Sequence, residues 1–240
     1  MLPSEETRPG NRRVLVVVAH PDDAEFSVAG TVALWARQGD RVFYLICTDG
    51  SRGTSDPNLT PQELTTIRAR EQLAAARVLG VQEVAHLGYQ DGALEPTIAL
   101  RRDITRAIRR FRPDVLVCQD PTQRWFGQEY INHPDHIAAG EAALAAAYPA
   151  ARDRLAFPEL LVEGLEPHKV QEIYVSGSSQ PDRWVDISST IDLKIQALLE
   201  HRSQLNPEGL DQRIRDWAHR AAKGQEGLSY AEAFKYFRLR

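Results

Sequence analysis

The chain has 240 residues, 42% of them hydrophobic and 26% charged, with a formal net charge of -4 at pH 7. That length and balance allow a sizeable core and exclude a disordered or fibrous chain. The slight acidity removes any general attraction to nucleic acid or to an anionic membrane, so neither is an expected partner.

Residues 1–12 are polar, with Glu5, Glu6, Arg8 and Arg12, and lack the apolar run of a signal peptide. They are expected to be a flexible N-terminus. Val14 to Val18 follows as an unbroken β-branched and aliphatic run, the pattern of a strand buried on both faces of a parallel sheet. A helix is predicted from about Glu25 to Gln38, closed by Gly39, and a second strand from Arg41 to Cys47. Thr60-Pro61-Gln62-Glu63 combines an N-cap, a first-turn proline and an acidic first turn, opening a helix that runs to Leu79 and stops at Gly80.

Glu83 to Leu87 reads as a short strand, Thr97 to Phe111 as a helix, and Pro113 to Cys118 as the next strand. An Ala-rich helix is expected over Ile137 to Ala147. Past Ala150 the pattern loosens: short strands at Glu172–Val175 and Trp184–Ile187, then helical segments at Thr190–Ser203, Leu210–Lys223 and Ala231–Arg238. Strand-helix alternation with short connections predicts an α/β fold, a Rossmann-like, mostly parallel sheet flanked by helices. The chain reads as one domain, 1–240, with 151–240 as a C-terminal α/β elaboration. Only two cysteines occur, Cys47 and Cys118, each near the end of a strand-like run. They read as buried reduced thiols rather than a disulfide framework, and the expected compartment is the cytoplasm.

In such a sheet, ligands bind beyond the carboxyl ends of the strands. Three polar clusters fall there: His20 to Glu25, Thr48-Asp49-Gly50-Ser51, and Gln119-Asp120. In the first, His20 and Asp23 lie three apart around a turn begun by Pro21, so both side chains can face one point above the sheet. Imidazole nitrogen and carboxylate oxygen are ligands that zinc accepts. Asp22, between them, is free to move protons. A further cluster, Asn132-His133-Pro134-Asp135-His136, opens a helix with proline at its first position, setting His133 and His136 on one side of the first turn. One of the two can ligate a metal while the other addresses the substrate. No G-x-G-x-x-G turn follows the first strand, which weighs against a nucleotide-binding module without catalysis.

His20-Pro21-Asp22-Asp23-Ala24-Glu25, Thr48-Asp49-Gly50 and His133-Pro134-Asp135-His136 together resemble the LmbE/PIG-L family of zinc-dependent de-N-acetylases. The resemblance extends over Ile67-Arg68-Ala69-Arg70-Glu71, Gly88-Tyr89-Gln90-Asp91-Gly92, His201-Arg202-Ser203-Gln204 and Ala231-Glu232-Ala233-Phe234. It implies His20, Asp23 and His136 as zinc ligands, with Fe2+ or Co2+ able to fill the same N/O site. It implies Asp22 as general base and His133 as acid or oxyanion stabiliser. Arg68 and Asp91 match sugar-binding positions. The implied reaction is removal of an N-acetyl group from an N-acetylglucosamine-type sugar or conjugate, a small-molecule partner. Cleavage of another C–N bond is the alternative reaction. Some glucosaminyl deacetylases carry a tyrosine two residues before the first His of the second motif; here Ile131 stands there, with Tyr130 adjacent. Pro121 to Tyr130, with Arg124, Trp125 and Phe126, is a candidate substrate loop. Arg101, Arg102, Arg106, Arg109 and Arg110 recur at helical spacing and predict a solvated or subunit-facing surface, compatible with a homo-oligomer.

Overall fold

The structure, a computed structural model, describes residues 11–240; most of the expected flexible N-terminus, 1–10, lies outside the described residues. Val14 to Val18 forms the centre of strand β1, Arg13–Val18, flanked in parallel by β2, Arg41–Thr48, and β4, Val115–Gln119. β3, Glu83–Tyr89, extends the sheet beyond β2, and β7, Glu172–Ser176, extends it in parallel beyond β4. The order of the sheet is β3-β2-β1-β4-β7-β9-β8, with β8 at Arg183–Asp186 and β9 at Ala231–Arg238. The chain therefore reverses its direction of growth between β1 and β4, and the crevice at a doubly wound sheet's ligand end opens there.

Side chains alternate across this sheet. Val14, Val16, Val18, Tyr44 and Ile46 face a layer that contains Trp35, Leu79, Ile195 and Ile214. Leu15, Val17, Leu45, Cys47 and Cys118 face Leu100, Ile104, Ala139 and Ala143 on the other side. The helices are α3 (Pro61–Leu79), α4 (Ile98–Phe111), α5 (Pro134–Ala147), α6 (Glu159–Val162), α7 (Ile191–Leu198) and α8 (Leu210–Ala222), preceded by the two pieces α1 and α2 described below. Thr60 and Glu63 form the reciprocal cap expected at the start of α3. The alanines of α5 let it lie close to the sheet. At Gly140 a Cβ would come 2.2 Å from the Gln119 carbonyl oxygen, so only glycine permits that approach. Both cysteines are buried and unpaired, as expected. No helix of the described residues is long and apolar enough to cross a membrane.

Four expectations need correction. The helix expected over Glu25–Gln38 is two helices, α1 (Asp23–Ser27) and α2 (Ala29–Arg37), broken at Val28. The new N-terminus is satisfied from a distance, since Glu232 accepts hydrogen bonds from Gly30 N at 3.0 Å and Thr31 N at 2.8 Å. The helix expected to reach Ser203 ends at Leu198, which releases His201 to turn inward. Most plainly, Ala231–Arg238 is strand β9, not a helix; it pairs antiparallel with both β7 and β8 (Arg183–Asp186). Its aromatic residues explain this: Phe234 and Tyr236, two apart, pack their rings against Tyr174 at 5.4 and 5.1 Å, a contact that needs a period of two. The basic run on α4 is also not uniformly at the surface. Arg109 is buried and donates to the carbonyls of Ala150, Ala151, Asp153 and Ala156.

Candidate metal centre and catalytic cleft

β1 ends at Val18, and the chain leaves the sheet through Ala19. Thr48, at the end of β2, donates from both its backbone N and its Oγ1 to the Ala19 carbonyl, each at 2.9 Å. Gln119, at the end of β4, accepts from Ala19 N at 3.1 Å through Oε1 and donates through Nε2 to Asp23 Oδ2 at 3.2 Å. The three strand ends picked out as polar clusters thus hold one another. Asp49 serves the frame as well: its Oδ1 accepts from Ser51 N and Asp91 N.

Within this frame His20, Asp23 and His136 converge. Asp23 Oδ1 lies 3.0 Å from His136 Nε2, and Asp23 Oδ2 lies 3.4 Å from His20 Nδ1. The other nitrogen of each ring faces an oxygen. His20 Nε2 is 3.1 Å from Asp135 Oδ2 and 3.2 Å from Asp91 Oδ1, and His136 Nδ1 is 3.1 Å from Asn132 Oδ1. In the neutral rings, those outer contacts place the hydrogens outward and leave lone pairs on His20 Nδ1 and His136 Nε2, beside a carboxylate. Tetrahedral ligation with bonds of about 2.0–2.2 Å separates ligand atoms by about 3.3–3.6 Å, close to these spacings. Two imidazoles and one carboxylate, each steadied by an outer oxygen, form a group able to hold a metal ion. Asp135 is itself anchored, accepting from Gly92 N at 2.7 Å and Leu94 N at 3.2 Å.

The electrostatics favour a cation here. Burial would lower the His20 pKa, but Asp135, Asp23 and Asp91 outweigh it and push it up to about 12. Burial would raise that of Asp23, yet His136 and His20 hold it well below the usual carboxylate range.

Asp22 stands beside the group with a side chain 15% exposed. Burial and the neighbouring Asp23 charge raise its pKa to about 7, against the opposing pull of Arg68 and His201. Its φ of 92° lies where side chains other than glycine rarely go, a strain worth about 1–3 kcal/mol that surrounding contacts must offset. His133 caps α5: its Nδ1 accepts from Asp135 N at 3.2 Å, so the hydrogen of the neutral ring sits on Nε2. Burial and the nearby His20 lower its pKa. Its ring lies 4.7 Å from that of His20.

Arg68 and Asp91 join the same cluster. Arg68 is buried, with Nη1 facing the carbonyls of Gly50 and Arg52 and the carboxylate of Asp91, and Nη2 facing the Pro21 carbonyl and Asp22. Asp91 accepts from Arg52 N at 3.2 Å. Sequence reasoning gave no metal-supporting role to Asp135, Asn132 or Gln119. Asp135 lies inside a quoted motif and Gln119 at a strand end, so their positions carried the only signal.

These residues line one end of a cleft of about 1320 Å3. Its more exposed part carries aromatic side chains beside Glu129 and Arg220: Phe26 and Trp217 lie 6.3 Å apart, and Phe126 and Tyr130 pack at 5.8 Å on a small hairpin of β5 (Trp125–Phe126) and β6 (Tyr130–Ile131). The candidate substrate loop therefore meets the cleft through Phe126, Glu129 and Tyr130, whereas Arg124 and Trp125, the latter 64% exposed, are absent from the lining.

The chain is similar to known proteins over most of its length. The family model described as PIG-L, GlcNAc-PI de-N-acetylase, matches residues 15–147, more than half of the chain. Diacetylchitobiose deacetylase of Thermococcus kodakarensis is 34% identical over 193 residues, covering 80% of this chain and 70% of that protein. A probable N-acetyl-alpha-D-glucosaminyl L-malate deacetylase 2 of Bacillus anthracis is 33% identical over 140 residues, covering 56% and 59%. Among solved structures, N,N'-diacetylchitobiose deacetylase from Pyrococcus horikoshii, complexed with its inhibitor MPG, aligns with a TM-score of 0.87 at 30% identity, covering 98% of this chain and 87% of that one. With the family model spanning every residue of the candidate metal centre, the chain belongs to the PIG-L, or LmbE-like, family of de-N-acetylases, which are hydrolases.

Proposed function

We propose that this protein removes the N-acetyl group from an N-acetylglucosamine-type sugar or conjugate, releasing acetate and a free amine. The observation that carries the reading is the convergence of His20, Asp23 and His136 on one point, with Asp22 and His133 beside it in the wall of a deep cleft. His20 Nδ1, an Asp23 oxygen and His136 Nε2 are the proposed metal ligands, and zinc is the proposed ion, since it takes this N/O set with three protein ligands in catalytic sites. When bound, the ion supplies Lewis acidity, polarising the amide carbonyl and lowering the pKa of water toward about 7.

Asp22 accepts a proton from the attacking water as its oxygen bonds to the carbonyl carbon. His133, neutral, donates a hydrogen bond from its Nε2–H to the oxygen that gains negative charge and keeps that proton throughout. Asp22 then delivers its proton to the amide nitrogen as the C–N bond breaks. Arg68 and Asp91 border the same end of the cleft and are the proposed contacts for sugar hydroxyls. The cleft holds far more than a monosaccharide, which favours a substrate whose sugar carries a further group.

The test is to load the protein with zinc, iron(II) or cobalt(II) in turn and to measure acetate released from a panel of N-acetylglucosamine conjugates. Acetate release with zinc supports the reading. Absence of acetate from the whole panel, with the metal bound, overturns it.

A further inference from the structure

The peptide group that precedes Asp22 is held at both of its polar atoms from one helix. α3 presents Arg68 and Gln72 one turn apart. Arg68 Nη2 donates to the Pro21 carbonyl at 2.7 Å, and Asp22 N donates to Gln72 Oε1 at 2.9 Å. That carbonyl and that N–H belong to one plane, so the plane cannot rotate without breaking a bond. Its orientation sets the Asp22 φ of 92°.

Gln72 in turn has no freedom to invert. Its Nε2 donates to Glu25 Oε1 at 3.0 Å, and Glu25 Oε2 lies 3.2 Å from His201 Nε2. An inverted amide would set oxygen against the Glu25 carboxylate and NH2 against the Asp22 N–H. Gln72, Glu25 and His201 are all fully buried, and none of them lines the cleft. Nothing about them suits contact with substrate.

We propose that Gln72 is a positioning residue for the general base. Backed by Glu25 and His201, it holds the Pro21–Asp22 peptide in the strained orientation that aims the Asp22 carboxylate at the reacting centre. The inference rests on the reading of Asp22 as that base. Side-chain chemistry explains the choice of residue: the Asp22 N–H requires an acceptor, Glu25 requires a donor, and a glutamine amide offers both at one end.

The experiment compares Gln72→Leu, Asp22→Asn and the paired exchange Gln72→Glu with Glu25→Gln, all loaded with metal. Gln72→Leu is expected to lower kcat about 10- to 100-fold, with KM within about twofold and metal content unchanged. A crystal structure of that variant should show Asp22 with a negative φ. The exchange keeps an acceptor for the Asp22 N–H, a donor between the two side chains and an acceptor for His201, so it should restore kcat to within about fivefold of the parent. Full kcat in folded, metal-loaded Gln72→Leu overturns the inference, as does a loss carried entirely by KM. If Gln72→Leu does not fold, the exchange decides: a folded exchange variant with its metal but with kcat reduced more than tenfold overturns the proposal. Asp22→Asn separates the two levels. Full turnover in that variant removes the base assignment itself, whereas an inactive Asp22→Asn beside a fully active Gln72→Leu removes only the role of Gln72.

Discussion

The two ends of the cleft are built differently. At the inner end, the carboxylates of Asp23 and Asp135 and the amides of Gln119 and Asn132 each hold a named partner, and Asp135 is 1% exposed. At the outer end, Phe126, Tyr130 and Trp217 are 40%, 53% and 46% exposed and meet one another or Phe26 through ring faces and edges. The family model covers the inner end completely and stops at residue 147, before α8 and β9 supply the far wall. A polar network in which each of these side chains holds a partner restricts its orientation, which suits chemistry. Half-exposed aromatic rings carry contact area without a required geometry, which suits the recognition of variable groups. The comparison predicts large effects on turnover at the inner end and modest effects on substrate preference at the outer end.

The largest effect is expected from Asp22→Asn. It should keep its metal and lower kcat by about 10²- to 10⁴-fold, as measured by acetate release at saturating substrate. His133→Phe follows, with kcat reduced about 10²- to 10³-fold and metal content intact. Equal turnover in either variant would break the division between the two ends.

The proposed metal ligands should separate from their supports. His136→Ala is expected to lose the ion on dialysis, read by elemental analysis, whereas Asn132→Ala, which removes the partner of the outer nitrogen of His136 together with the bond from Nδ2 to the Gln123 carbonyl, should weaken metal affinity about 10- to 100-fold.

Behind the site, burial opposes the His201 charge, but Glu25, with Asp22 and Glu71, outweighs burial and raises its pKa. A folded-state pKa above the unfolded value of about 6.5 stabilises the fold fully below about pH 6.5, and that contribution is lost as pH rises through the raised value. Denaturant unfolding of the metal-free protein should show this decline. His201→Gln should show a smaller decline, the remainder belonging to His20, whose pKa is also raised.

The smallest effect belongs to the outer wall. Trp217→Ala should raise KM for an extended conjugate about 2- to 12-fold, the weight of one aromatic contact, and leave N-acetylglucosamine itself unaffected. An equal loss for both substrates would show that the wall serves the inner chemistry after all.

The first half of the fold was legible because its signals are local. Val14 to Val18 cannot satisfy a helix period and a two-sided burial at once, and Thr60 to Glu63 writes its cap within four residues. The C-terminal part was not legible in the same way. Ala231–Arg238 alternates only weakly between faces, and its strand state depends on β7 and β8 arriving on either side. Val28 breaks a helix because Glu232, distant in sequence, caps the second piece.

For the site, the sequence alone determined which residue types gather at the strand ends, and with them a donor set of imidazoles and carboxylates beside a spare aspartate. Only the tertiary structure decided which nitrogen of each histidine turns inward. That choice depends on Asp135, 115 residues from His20, and on Asn132, one turn before His136. It also decided that Asp22 is held strained by Gln72, and that Gln72 leans on a glutamate and on a histidine 176 residues away from that glutamate. The physical reason is the same in each case. A hydrogen bond between chain-distant groups leaves no trace in local periodicity, yet it fixes the proton positions and backbone angles on which the chemistry depends.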